Sequence, residues 1–270
     1  MKELGFIGCG HMGEAMVSGV LKSGYLTGSD ILVHTGRPES LEALHQKYGI
    51  QTAQTNRDVA RQAKLLLLAV KPNMYAAVIN EIRESIQENS IIITIAPSYS
   101  IAAIRAAFGK PLKVVRAMPN TPLMVGCGMS GITFSDNITE AEKQSVHKLF
   151  NSSGTAIEVK EDLMSAVGSV SGSSPAFVYM LIEAMADTAV ALGLSLKDSY
   201  LFAAKAVEGA AKMVLETGEH PGALKDAVCS PGGTTIEGVL ALSANGFRGN
   251  IAEAMLRSAD KFREMESAQK

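Results

Sequence analysis

The chain has 270 residues, of which 47% are apolar and 19% are charged, and its formal net charge is −2. This length suits one large or two ordinary domains, and so small a net charge gives no electrostatic footprint for nucleic acid. The sequence has no apolar run near the roughly 20 residues of a membrane-spanning helix. Three widely spaced cysteines and five scattered histidines fit neither disulfides nor a metal site, so we expect no bound metal and a reducing cytoplasm. We also expect no signal peptide, because a strand-like run begins at residue 4.

Strand-like and helix-like segments alternate over the first 160 residues. The strand-like runs are 4–7, 31–33, 65–70, 91–95 and 114–115, with weaker runs at 131–134 and 155–159. Helical patterns lie between them, for example at 41–48, 74–86 and 139–150. This alternation predicts an α/β domain over residues 1–160, with the doubly wound parallel sheet of a Rossmann fold.

A glycine motif follows the first strand. Gly8, Gly10 and Gly13 form G-x-G-x-x-G between the apolar run and a helical pattern, which is the context of a dinucleotide-binding turn. A purely structural glycine turn is the alternative. The expected cofactor contacts in this loop are Ile7, Gly8, Cys9, Gly10, His11, Met12 and Gly13.

The residues after the second strand bear on which dinucleotide is bound. NAD-binding units usually place an acid there for the ribose 2′-hydroxyl, but here the first acid is Glu39. Thr35 and Arg37 could instead hydrogen-bond and pair with a 2′-phosphate, although an exposed turn arginine is the alternative. We therefore expect NADP(H), with NAD(H) as a second usable cofactor.

Further polar residues fall near the strand ends, where ligands bind in open α/β sheets. Lys71 ends one strand-like run and Asn120 lies in a proline-stiffened loop after another. A solvated lysine and a plain turn are equally good interpretations, and Asn56 could be a helix cap. The expected cofactor contacts in this group are Asn56, Ala69, Val70, Lys71, Pro72 and Asn120.

Strand signals stop after residue 160. The helices predicted at 175–192 and 196–215 are apolar on most sides, and about 110 residues cannot easily bury them alone. We therefore expect residues 161–270 to form an all-α domain that buries these helices by dimerisation with a partner subunit. The charged tail, 257–270, is predicted to be a solvated helix end.

A hydroxyl-rich, glycine-broken turn precedes a late helical pattern at 230–235. Thr234 and Thr235 fall where an N-cap and a first turn belong. The open N–H groups of such a helix favour an anion, so the turn could hold a carboxylate while a threonine hydroxyl reaches a neighbouring polar atom. An ordinary capped turn is the alternative.

Five motifs together carry a family resemblance. They lie in order at 8–13, 69–72, 118–122, 171–176 and 224–235 and so extend over nearly the whole chain. The chain resembles the pyrroline-5-carboxylate reductases, which catalyse the last step of proline synthesis. The last motif is highly specific, whereas many dehydrogenases share the first.

The resemblance implies reduction of 1-pyrroline-5-carboxylate to L-proline with NAD(P)H, by a homodimer with interlocked helical domains that can assemble further, up to a decamer. It places the substrate carboxylate on the late turn and makes Thr235, facing the ring nitrogen, the catalytic candidate. Glu161 matches a position associated with the substrate pocket, contributed by the interlocked subunit. The substrate-binding residues implied are Glu161, Ser230, Gly232, Gly233, Thr234 and Thr235.

Two departures from the family pattern concern the nicotinamide side. The segment at 97–99 is Pro-Ser-Tyr where small residues are common, and Cys229 stands where a hydroxyl residue is frequent. Two rival functions stay open. One is a 3-hydroxyacid dehydrogenase using Lys205 or Lys212, and the other is a non-catalytic NADP(H)-binding regulator.

Overall fold

The computed structural model describes residues 1–268, which form two compact units. The first comprises Met1–Ser173 together with the end of the chain from Ser258. The second is Ser174–Arg257.

The first unit is built on one eight-stranded sheet. Its strands are β1 (Lys2–Ile7), β2 (Ile31–His34), β3 (Gln51–Thr52), β4 (Ala63–Leu68), β5 (Ile91–Thr94), β6 (Lys113–Met118), β7 (Gly128–Phe134) and β8 (Gly154–Glu158). Their order is β3-β2-β1-β4-β5-β6-β7-β8, and every neighbouring pair is parallel except β6 and β7. The predicted doubly wound sheet is confirmed, with one antiparallel pair. That pair arises because residues 119–127 are fewer than the dozen or so that a parallel crossover needs.

Helices cover both faces of this sheet. They are α1 (His11–Lys22), α2 (Pro38–Tyr48), α3 (Asn56–Gln62), α4 (Tyr75–Ile82), α5 (Ile101–Phe108), α6 (Glu140–Asn151) and α7 (Met164–Val167). Successive strand residues point to opposite sides, so Leu65 and Leu67 join one apolar core while Leu66 and Leu68 join the other. A sheet buried on both faces accounts for the unbroken apolar runs in its strands.

The second unit is entirely helical. Its helices are α8 (Ser174–Ala191), α9 (Leu196–Thr217), α10 (Pro221–Ala227), α11 (Thr234–Ala244) and the start of α12 (Phe247–Ser267). α8 and α9 pack against each other, yet they leave large apolar side chains uncovered. Phe202 and Met180 are 65% and 67% exposed. No helix within residues 1–268 has the length and apolarity to cross a membrane.

The division into units does not coincide with the domain boundary expected after residue 160. Residues 161–173, which include a π-helical segment at Gly168–Ser173, belong to the first unit. One reason is close packing on β7, since a Cβ on Gly131 would lie 2.6 Å from a methyl group of Val167. The boundary at 160 concerns the limits of the helical domain along the sequence and stays a prediction.

The end of α12 corrects the expectation of a solvated tail. Residues 258–268 belong to the first unit, and one face of this segment is covered, since Ala259 is only 7% exposed while Asp260 and Glu264 stay exposed. The ring of Phe262 lies on Gly168, and Glu266 forms an ion pair with Arg116. The last turns of the helix are therefore part of the Rossmann unit.

Candidate active site

The glycine turn after β1 has the geometry that a dinucleotide site requires. Gly8 has a φ of +79°, and a Cβ there would lie 2.9 Å from the carbonyl oxygen of Ala69. The Gly8 N–H donates to the His34 carbonyl oxygen at 2.8 Å, and the Ala69 N–H donates to the Ile7 carbonyl oxygen at 2.8 Å. These bonds join the turn to the ends of β2 and β4. The positive φ and the nearby Ala69 carbonyl leave room only for glycine at position 8.

The N-terminus of α1 offers an open anion site. Gly10 is the N-cap and has no side-chain cap, and a Cβ built on it would meet nothing within 4 Å. Gly13 is buried, and its hypothetical Cβ would lie 3.4 Å from the Cβ of Ala69, so α1 packs closely on the β4 end. Free first-turn N–H groups and the positive end of the helix dipole favour a phosphate here. The residues present therefore fit a dinucleotide pyrophosphate.

A cavity of about 430 Å³ opens beside this helix start. It lies at the carboxyl ends of β1, β4, β5 and β6, where the strand order reverses around β1 and β4. It is lined by Gly10, His11, Met12, Gly13, Ala69, Val70, Lys71, Pro72, Ile95, Ala96, Pro97, Met118, Pro119, Gly172, Ser173 and Phe262. The structure thus brings residues 10–13 and 69–72 together at one place, whereas the other predicted glycine-loop contacts, Ile7, Gly8 and Cys9, do not line this cavity.

A second cavity, of about 360 Å³, lies on the other side of the glycine turn. Arg37 lines it, and Gly10 and His11 line both cavities, so the two cavities adjoin at the start of α1 and are together called the groove below. The Thr35 hydroxyl donates to the Arg37 carbonyl oxygen at 3.0 Å, which shapes the turn. Contact of Thr35 and Arg37 with a 2′-phosphate stays a prediction.

Charged and ionisable groups near the turn are balanced. Glu14, in the first turn of α1, accepts hydrogen bonds from Lys47 at 2.8 Å and from the Tyr48 hydroxyl at 2.9 Å. The bond from Lys47 lowers the pKa of Glu14, so the carboxylate is ionised and neutralised by the lysine. Burial raises the pKa of Cys9 to about 12, and the nearby Glu14 charge adds to the effect. The Cys9 thiol is therefore neutral and is not a nucleophile.

Asn56 and Asn120 are engaged within the protein. The Asn56 amide donates to Glu81 at 2.7 Å, and the N-cap of α3 is Thr55. The Asn120 amide donates to the Ser171 carbonyl oxygen at 3.0 Å, and its oxygen accepts from the Met129 N–H at 2.8 Å. Asn120 is 7% exposed and is absent from the cavity lining, so its amide joins two loops. Contact of either residue with a cofactor stays a prediction.

The 230–235 turn lies in the second unit. Gly233 is the N-cap of α11, so Thr234 and Thr235 are its first two helical residues and the expectation of a threonine N-cap is wrong. Gly232 has a φ of +68°, and the Gly233 N–H donates to the Ser230 carbonyl oxygen at 3.0 Å, so the glycines make the cap. Both threonines are exposed, and within residues 1–268 neither hydroxyl has a hydrogen-bond partner. The start of α11 and two hydroxyls are therefore available to a ligand.

Comparison with known proteins identifies the family. The model of pyrroline-5-carboxylate reductase dimerisation matches residues 161–265, and the model described as NADP oxidoreductase coenzyme F420-dependent matches residues 3–98. The pyrroline-5-carboxylate reductase of Escherichia coli (strain K12) is 45% identical over 260 residues, which cover 96% of this chain and 97% of that protein. The chain belongs to the pyrroline-5-carboxylate reductase family. The reductase of Methanosarcina acetivorans is 39% identical over 264 residues, covering 98% of each chain.

A solved structure of a pyrroline carboxylate reductase supports the same conclusion. The enzyme of Plasmodium falciparum, crystallised with NADP bound, superimposes with a TM-score of 0.90 at 29% identity and covers 98% of each chain. The second unit of this pyrroline-5-carboxylate reductase family member lies within the matched dimerisation region. The resemblance inferred from five sequence motifs is therefore confirmed.

Sequence reasoning missed Arg116. It is 2% exposed within the apolar β6, donates to the Pro97 carbonyl oxygen at 2.8 Å, and pairs with Glu161 at 3.3 Å and Glu266 at 3.1 Å. The signal was present, because an arginine inside a buried strand must be paired. The Glu161 carboxylate also accepts the Ile101 N–H at 2.7 Å, so in this reductase it binds Arg116 and the start of α5. A substrate role for Glu161 stays a prediction.

Proposed function

We propose that this chain reduces 1-pyrroline-5-carboxylate to L-proline with NADPH. The observation that carries the proposal is the 45% identity to a pyrroline-5-carboxylate reductase over 96% of the chain. A cavity of about 430 Å³ beside the open N-terminus of α1 supports it, because the groove fits a dinucleotide. Bound NADPH would supply the hydride.

The protein groups match the demands of this reaction. A protonated cyclic imine is already electrophilic, so the residues need to bind, orient and exclude water rather than form a covalent bond. The start of α1 binds the pyrophosphate, and Lys71 lies exposed at the mouth of the cavity to meet its charge. Val70, Pro97 and Pro119 give the cavity apolar walls that keep water from the reacting carbon.

The substrate is held by the 230–235 turn. The free N–H groups at the start of α11 bind the carboxylate, together with Ser230, Gly232, Gly233 and Thr234. The Thr235 hydroxyl orients the ring nitrogen, and Glu161 contributes to the pocket from the interlocked subunit. A threonine hydroxyl is a weak acid, so Thr235 orients the nitrogen more than it transfers a proton. Fixing both ends of the imine places its carbon for hydride addition.

NADPH is the preferred cofactor in this proposal. Arg37 lines the groove on the far side of the glycine turn, and the chain has no acid between His34 and Glu39 to bind a ribose 2′-hydroxyl. A guanidinium pairs with a 2′-phosphate through two parallel hydrogen bonds. NADH lacks that phosphate and is used less well.

The enzyme works as a homodimer in the cytoplasm. The exposed apolar side chains of α8 and α9 are the surface that a second copy covers, and the matched dimerisation region includes both helices. Five such dimers could form a decamer. The dimer supplies the pocket with residues from both copies.

An absorbance assay at 340 nm tests the proposal. Purified protein should consume NADPH when 1-pyrroline-5-carboxylate is added, and proline should appear in equal amount. Oxidation of a 3-hydroxyacid with NADP⁺ would instead favour the rival 3-hydroxyacid dehydrogenase. The structure speaks against Lys205 as the catalytic lysine of such an enzyme, because it is exposed and pairs with Glu208 at 2.6 Å. NADPH binding without turnover of any cyclic imine would favour the non-catalytic regulator.

A further inference from the structure

The last turns of α12 lie against the cofactor groove. Phe262 is one of the residues that line the cavity of about 430 Å³. Its ring rests directly on the backbone of Gly168, where an added Cβ would lie 2.6 to 2.9 Å from three ring carbons. The hydroxyls of Ser173 and Ser258 lie 2.7 Å apart and tie the helix to the same π-helical segment. Residues from the end of the chain therefore form part of the cavity wall.

Arg116 connects this helix end to the opposite wall. One guanidinium nitrogen, Nη2, donates both to the Glu266 carboxylate at 3.1 Å and to the Pro97 carbonyl oxygen at 2.8 Å. Pro97 lines the cavity, as Phe262 does. A displacement of the guanidinium would therefore move two walls at once.

The two carboxylates that bind Arg116 are not equivalent. Glu161 has a second anchor, because the same oxygen accepts the Ile101 N–H. Glu266 is held by Arg116 alone among the residues that the structure describes, and its side chain is 27% exposed. Arg116 is 2% exposed, and its Nε has no partner within residues 1–268. Loss of the Glu266 charge would leave a buried guanidinium less well compensated and would release the helix end.

We infer that the end of α12 forms part of the binding site for the nicotinamide end of the cofactor. Phe262 contacts the cofactor, and Arg116 and Glu266 are positioning residues that hold this wall in register with Pro97. The inference rests on the proposed function, which places the reacting carbon, and so the nicotinamide, against the apolar walls of the cavity of about 430 Å³. The inference adds the end of α12 to the cofactor-binding residues. This segment lies about 90 residues after the π-helical segment in sequence, and the glycine motif does not indicate it.

Four variants of the full chain test the inference: Glu266→Gln, Glu266→Asp, Phe262→Leu and a control. Glu266→Gln removes the charge with little change of size, and Phe262→Leu keeps apolar volume but loses the ring. Glu264→Gln is the matched control, because Glu264 lies on the same helix, is exposed and pairs with Lys261 rather than with Arg116. The readouts are the Kd of NADPH by its fluorescence, KM and kcat with saturating imine, and the thermal midpoint of each variant.

Weakening one charged hydrogen bond in a partly exposed pair should raise the Kd and KM of NADPH about three- to tenfold in Glu266→Gln. The value of kcat at saturating NADPH should stay within about twofold, since the wall acts on binding. Phe262→Leu should likewise raise the Kd and KM of NADPH and leave kcat nearly unchanged. Glu266→Asp should recover part of the NADPH affinity, and Glu264→Gln should have the affinity of the wild type.

Unchanged NADPH affinity in both Glu266→Gln and Phe262→Leu would overturn the inference, even if the thermal midpoint falls, because a purely structural tail predicts that pattern. If Glu266→Gln does not fold, Phe262→Leu decides alone. Failure of the wild-type protein to reduce the imine would contradict the proposed function instead, and the NADPH affinities would still compare the variants.

Discussion

The ring of Tyr99 stacks on the ring of Tyr75, with centroids 4.5 Å apart and planes inclined by 20°. Tyr75 is fully buried, and its hydroxyl donates to the Leu68 carbonyl oxygen at 2.7 Å, at the end of β4. The stack thus ties the loop after β5, which carries Pro97, to the neighbouring strand end. It gives the tyrosine at position 99 a packing role in the fold.

Removing this stack should loosen the cavity wall. Tyr99→Ala should lower stability by about 2–4 kcal/mol, because Tyr99 is 7% exposed and the change leaves a cavity. Tyr99→Phe should resemble wild type, since the Tyr99 hydroxyl has no hydrogen-bond partner within residues 1–268. Thermal melts at one fixed protein concentration measure the difference. Equal midpoints for the two variants would show that the stack is dispensable.

Arg37 should determine the cofactor preference. Arg37→Asp should repel the 2′-phosphate and reduce kcat/KM with NADPH by about ten- to hundredfold, the usual range for lost hydrogen bonds to a charged group. The value with NADH should change little, so the preference narrows or reverses. Arg37→Lys keeps the charge but loses the planar guanidinium, so its kcat/KM with NADPH should lie between those of the wild type and Arg37→Asp. An unchanged NADPH/NADH ratio in Arg37→Asp would mean that Arg37 does not contact the phosphate.

Asn120 should act by holding two loops together. Asn120→Asp keeps the oxygen that accepts from the Met129 N–H but turns a second oxygen toward the Ser171 carbonyl. The lost and repulsive contacts in a site 7% exposed should cost about 1–3 kcal/mol of stability. Asn120→Ala should cost a similar amount, because it leaves the Met129 N–H unpaired. If both variants keep wild-type stability and lose only NADPH affinity, direct cofactor contact is the better explanation.

Most of the Rossmann unit could be predicted from the sequence, because its strands are unbroken apolar runs between amphipathic helices. The two-residue β3 could not, since Gln51 and Thr52 are both exposed and carry no apolar pattern. The antiparallel direction of β7 was also missed. Apolar periodicity shows which residues are buried but not which way a strand runs, and only the short connection at 119–127 indicated it.

The candidate site also has parts that the sequence could predict and parts that it could not. The glycine turn was predictable because a positive φ and close backbone approach restrict position 8 to glycine. The Arg116–Glu266 pair was not, because its members lie 150 residues apart and Glu266 sits in a charged stretch that reads as solvated. The N-cap of α11 was misplaced by one residue because a glycine cap leaves the preferred threonines inside the helix.

Association should depend on the apolar faces of α8 and α9. The wild-type protein should sediment as a dimer or a multiple of one at micromolar concentration. Phe202→Glu introduces a charge at a side chain that is 65% exposed in the single chain and should shift the protein toward smaller or aggregated species. Lys205→Gln, on the same helix, is the control and should leave the oligomer intact. A stable, folded wild-type monomer would contradict the proposed assembly.

The clearest prediction concerns Thr235, which lies in the first turn of α11 behind a cap made by Gly233. Thr235→Ala should therefore keep the helix start, the fold and NADPH affinity. It should lower kcat/KM for 1-pyrroline-5-carboxylate by about ten- to hundredfold, because the ring nitrogen loses a hydrogen bond worth about 1.5–3 kcal/mol. Thr235→Ser keeps the hydroxyl and should retain most activity, and this comparison separates hydrogen bonding from packing. If Thr235→Ala reduces the imine at the wild-type rate, the hydroxyl takes no part in the reaction and the turn serves only to bind the carboxylate.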